Sequence, residues 1–171
     1  MMLQTEHNEN TVTEKLRAGS RILSAVFAAG GVISIIYGIW KTVSMLSECI
    51  KYHDRFLARQ NAMYILPTIF RMWFLGAMLL IAAWMFRRIS QSGVPFDEKS
   101  VRAVRMIGIL CILHAPVSIF ATCLIVLEVP LLFPLAEIFP LHTIAEGMLF
   151  LFAAKLMRYG TALQQESDET L

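Results

Sequence analysis

The sequence predicts an all-α fold: a four-helix transmembrane bundle of two hairpins, each entering from the cytoplasm, with both termini cytoplasmic. Three observations carry this. Hydrophobic residues make up 57% of the 171-residue chain and the mean hydropathy is +0.61, whereas a soluble domain holds ~45–50% apolar residues even with glycine counted. These residues are bunched into long runs rather than spread in short periods, as bilayer spans require. Lys and Arg gather beside the runs, the pattern of topology signals. The net charge is only +2 and no basic–aromatic surface is present, which speaks against a direct nucleic-acid role. Cys49, Cys111 and Cys123 make no CxxC pair, so neither a disulfide framework nor a thiolate metal site is expected.

Residues 1–14 are polar and lack an apolar period, and are read as a disordered cytoplasmic tail. Residues 15–171 form the membrane domain. Lys15, Arg17 and Arg21 precede a first span at about 22–40, which is longer than a signal-peptide core and is followed by further apolar runs, so it is read as retained. Gly30, Ser34 and Gly38 recur every four residues. They either form a face where another helix approaches closely or are simply tolerated in a bilayer helix. In residues 41–62, Val43, Leu46, Ile50 and Leu57 fall at heptad-like spacing. The first two helices are therefore expected to run past the bilayer as an amphipathic pair, with no turn signal to mark the reversal.

The second span covers about 62–86 and takes in Pro67 and Arg71, because Met72 to Phe86 alone is too short to cross. The third, about 106–127, contains His114 and Pro116. The string EVPLLFPLAEIFP then has three prolines, two glutamates and no Lys or Arg, which suits an outer loop lying partly in the interface. The fourth span, about 141–157, carries His142 and Glu146 and ends at Lys155, Arg158 and Tyr159.

The connection between the second and third spans supplies the orientation. Arg87 and Arg88 end one run, Ser90 to Gly93 form a polar turn, and Asp97 is placed to cap the next helix, with Phe96 and Val101 spaced as a hydrophobic staple. Lys and Arg number three, five and two in the tail, this loop and the C-terminus, against four in residues 41–59. Ten against four favours cytoplasmic termini. The two halves share a layout, and GVPFDEKSV from Gly93 can be set against GTALQQESDETL from Gly160. That match is short enough to be coincidence.

Ionisable residues inside spans are the best functional leads, since each costs ~2.5–3.5 kcal/mol to insert. Counting ~1.5 Å per residue from the basic boundaries places Arg71 and His142 at ~24 Å, Glu146 at ~18 Å and His114 at ~14 Å. The four share one layer. Arg71 and Glu146 are expected to face the bundle interior and pair, with His142 and His114 alongside. The pair either holds two helices together, with Arg71 snorkelling outward, or lines a ligand, proton or ion site. HxxxE lacks the HExxH arrangement, so no metal is assigned. With no Gly-rich phosphate loop and no Ser/His/Asp or Cys/His constellation, neither an enzyme nor a cofactor is expected.

The two motif patches have a resemblance to report. Gly93, Pro95, Phe96, Ile107 and Gly108, with Arg158, Gly160, Leu163, Gln164, Glu166 and Thr170 at the C-terminus, make the chain similar to the bacterial domain-of-unknown-function family 2975, small four-helix integral membrane proteins. The resemblance implies the bacterial plasma (inner) membrane and a cytosolic protein partner such as a helix-turn-helix regulator, and it supplies no catalytic residues. The polar tail and long outer connection depart from the family's commoner pattern. The function expected is a regulatory or sensory module in the lipid bilayer. The alternative is a small transporter or channel subunit acting as a homo-oligomer.

Overall fold

The structure is a computed structural model in which residues 2–51, 55–93, 97–126 and 141–169 are described. All of the regular structure among them is helical: α1 (Met2–Lys51), α2 (Arg55–Ser92), α3 (Glu98–Val126) and α4 (Leu141–Glu169). Three of the four, α1, α2 and α3, are long and apolar enough to cross a membrane. In α4, Glu146, Lys155 and Arg158 interrupt the apolar run.

One expectation changes here. The tail read as disordered is the start of α1, whose 50 residues begin at Met2. Once a span supplies the nucleus, each added residue gains a backbone hydrogen bond without a new nucleation cost. The outer connection resolves into helix on both sides, with α1 running to Lys51 and α2 starting at Arg55. The outer loop EVPLLFPLAEIFP lies outside the described residues.

Among the described residues the helices pack in chain order, α1 on α2, α2 on α3 and α3 on α4, while α4 touches neither α1 nor α2. The result is an open row with α1 and α4 at its edges. Their outer faces are apolar, with Val26, Ile33, Leu149 and Phe152 each 60% exposed or more. Lipid is the natural solvent for such faces.

Each hairpin crosses at a pair of glycines. A methyl group on Gly76 would lie 2.7 Å from Ile35 Cγ1 and 3.3 Å from the Gly31 carbonyl oxygen; on Gly147 it would lie 2.6 Å from Ile112 Cγ1 and 2.8 Å from that of Gly108. Conversely, a methyl on Gly31 meets Leu80 at 2.9 Å, and one on Gly108 meets Leu151 at 3.0 Å. Only glycine permits backbones this close. The small-residue face expected on α1 does make the contact, though its tightest point is Gly31 rather than Gly30.

The correspondence extends along the chain. Gly31 and Ile35 match Gly108 and Ile112, while Gly76, Leu80, Ala82, Ala83 and Arg87 match Gly147, Leu151, Ala153, Ala154 and Arg158 at the same spacing. The two hairpins are therefore a repeat. Its register pairs Arg87 with Arg158, which sets Gly160 opposite Ile89 and not opposite Gly93 as the loop strings suggested.

Candidate functional site

The layer of ionisable residues expected from the sequence is centred on His114. Helix α3 places it one turn past Leu110 on the face towards α2, where its ring meets Phe74 edge-on at 5.2 Å. It is 8% exposed, and among the described residues neither Nδ1 nor Nε2 has a hydrogen-bonding group. A neutral imidazole carries one donor and one acceptor, and leaving such a group unsatisfied costs about 1–3 kcal/mol. Two residues on, Pro116 lies inside α3 and cannot donate to the Ile112 carbonyl.

Arg71 on α2 and His142 on α4 lie within electrostatic reach of His114, and Glu146 within reach of Cys111. The repeat explains the first two, because each lies five residues before its hairpin's return glycine, Gly76 or Gly147. The sequence expectation fails in one respect. Arg71, His142 and Glu146 are all exposed, and among the described residues no ion pair joins Arg71 to Glu146. The reason is topological: α3 lies between α2 and α4, so their flanks never meet. Nor do His114, His142 and Glu146 form a group that could hold a metal ion, among the described residues. Beside this layer, the Cys111 thiol donates to the Met78 sulfur at 3.2 Å and ties α3 to α2.

The turn between α2 and α3 is built from its residues. Gly93 adopts φ +72° and its N–H donates to the Ile89 carbonyl at 2.8 Å, an αL cap that glycine takes without a steric penalty. Asp97 caps α3 as expected: its carbonyl accepts the first helical bond, from Val101 at 3.0 Å, and its side chain accepts from the Lys99 N–H. Arg88 Nε donates to Asp97 Oδ2 at 2.9 Å, bridging the two helices. That hydrogen bond is the largest influence holding the Asp97 carboxyl below its ordinary range, against opposing desolvation, with the Arg88 charge adding to it. Pro95, Phe96 and the proposed staple lie outside the described residues, as does Thr170.

The C-terminal motif continues α4. Gly160 is half-buried, while Arg158, Leu163 and Glu166 are exposed. Arg158 joins Arg102 and Arg105 around an open cleft of about 300 Å³ between α3 and α4. The first turns of α3 and the C-terminal part of α4 thus meet in space. The sequence offers these arginines either as orientation signals or, with the C-terminal segment, as a charged docking surface for a soluble partner; it does not show the cleft. The i, i+3 spacing of Arg102 and Arg105, which puts both on one face, was the available hint.

No curated protein and no solved structure shows significant similarity to the chain. Over residues 4–171 it matches the family described as "Protein of unknown function (DUF2975)", so nearly the whole chain, with its paired glycine crossings and buried histidine, belongs to the DUF2975 family.

Proposed function

We propose that the chain is a multi-pass protein of the bacterial plasma membrane, a sensory or regulatory module acting with a cytosolic partner such as a helix-turn-helix regulator. In this reading α4 is a fourth span. Packed antiparallel along α3, it must share the slab that α3 crosses. The termini and the α2–α3 turn then face the cytosol with their arginines.

The observation that carries the reading is α3 itself. One continuous helix holds the unsatisfied His114 in its interior and, ~24 Å away, the Asp97 cap bonded to Arg88. A proton or ligand that pairs the imidazole changes how α3 packs on Phe74. The same rigid helix delivers that change to the turn. Replacing His114 with Phe removes the unsatisfied nitrogens and keeps the ring contact, so thermal stability in detergent rises by about 1 kcal/mol while signalling output is lost. Pull-down from solubilised membranes, with and without residues 160–171, tests the partner. Failure of any cytosolic protein to be captured in a tail-dependent way would sink the signalling role.

A second reading, an oligomeric transporter or channel subunit, rests on the repeat. In its register Leu23, Val26 and Ile33 of α1 stand where Ser100 and Ala103 of α3 are buried and Leu110 is half-buried, and Leu149, Phe152 and Leu156 of α4 stand where Met78, Ile81 and Met85 of α2 are half-buried. The α2–α3 joint is head-to-tail, so α4 of one copy would meet α1 of the next in the same manner. Ion flux in liposomes that disappears with Glu146→Gln would favour this reading over signalling.

A further inference from the structure

We infer that the cleft between α3 and α4 binds the phosphate-bearing headgroup of an anionic phospholipid. Three guanidinium groups, Arg102, Arg105 and Arg158, converge on it from two helices against a single carboxylate, Glu98. That carboxylate is weakly committed. Its i, i+4 pair with Arg102 spans 3.2 Å with both side chains at least 70% exposed, a geometry worth a few tenths of a kcal/mol. Arg105 and Arg158 have no ion-pair partner among the described residues. The cleft also flanks the first two turns of α3, whose dipole adds positive potential, while α4 runs on to Glu169 and keeps its negative end away.

Guanidinium forks match phosphate oxygens bidentately. The Thr161 hydroxyl is already donating to the Met157 carbonyl at 3.0 Å, so recognition falls to the arginines. The floor includes buried Val101, which leaves little room for water beneath a bound anion.

What commits the site to lipid rather than a free anion is the surface below it. Four and eight residues on from Arg105, on the same face of α3, stand Ile109 and Leu113, 43% and 49% exposed; across the groove Met148 of α4 is 62% exposed. A cationic mouth above an apolar groove fits a headgroup with its acyl chains laid along the helices. The inference does not depend on a role for His114 or on a cytosolic partner.

The test uses purified full-length protein in a neutral detergent, followed by thermal unfolding with phosphatidylglycerol, phosphatidylcholine or inorganic phosphate. Phosphatidylglycerol should raise the melting temperature, and the other two should not. Arg105→Gln/Arg158→Gln should keep its helical content and lipid-free melting temperature but need about tenfold more phosphatidylglycerol or lose the response. Arg105→Lys/Arg158→Lys should keep part of the response, since charge remains and the fork does not. Equal responses to phosphatidylcholine and phosphatidylglycerol, or a glutamine variant that responds like wild type, would overturn the site. An equal response to inorganic phosphate would overturn its assignment to lipid. Should the double variant not fold, lipid retention by the single Arg158→Gln variant in native mass spectrometry decides, and undiminished retention counts against the site.

Discussion

The two hairpins share one plan and differ in what they enclose. Both cross at paired glycines, with an isoleucine and a leucine locking the crossing and alanines and an arginine following at the same spacing. Yet the α1–α2 hairpin closes on Phe27 stacked against Phe86 at 5.4 Å and on Ser24, whose hydroxyl donates to the Ala83 carbonyl at 2.9 Å. Its position matching His114 is Tyr37, 37% exposed beside Lys41. In the α3–α4 hairpin the equivalent aromatic is a buried imidazole, because α2 covers α3 on its second side. Position in the row leaves the aromatic at an exposed edge in one hairpin and encloses it in the interior in the other.

The largest effect that could break this equivalence is at the crossings. Gly147→Val and Gly76→Val should each cost about 1–3 kcal/mol by forcing apart packed backbones, with Gly147 the worse because its carbonyl neighbour is nearer. Thermal unfolding in detergent reads this. Gly19→Ala is the control, since nothing lies within 4 Å of its added methyl. If Gly76 tolerated valine and Gly147 did not, the repeat would be one of sequence without shared packing.

A smaller effect sharpens the contrast at the α2–α3 turn. Gly93→Ala should cost about 1 kcal/mol through its left-handed φ, and the new methyl would also sit 3.1 Å from Arg17 Nε. A wild-type melting temperature would mean that this turn is not held as described.

The smallest effect is in pH. The Asp97 carboxyl is held below its ordinary value of 3.8, so its charged form is favoured in the folded state. That contribution is fully present above the unfolded value and is lost as pH falls through the lower folded one. Asp97 is about one-third exposed, so solvent screening keeps the effect small. Asp97→Asn should flatten the stability profile below about pH 4 and leave it parallel to wild type at neutral pH. An unchanged acid limb would dissociate Asp97 from the turn's stability.

Much of the layout was legible from local chemistry. Apolar run lengths predict long helices, and the Asp97 cap is a short-range backbone matter. Counting along helices at constant rise gives the expected depths of Arg71, His114, His142 and Glu146. It cannot decide the Arg71–Glu146 pairing. Two side chains at equal depth meet only if their helices are neighbours, and depth carries no information about lateral order.

By itself, then, the sequence determined that the described residues are helical and where the helices stop and start at the α2–α3 turn. Only the tertiary structure decided that the helices stand in an open row, that glycines 31 with 76 and 108 with 147 are the crossing points, and that His114 is enclosed while Glu146 is not. The physical reason is that run length and capping act within one helix, whereas lateral neighbours are chosen by close fit between small residues far apart in the chain. That fit leaves no periodic trace in hydropathy.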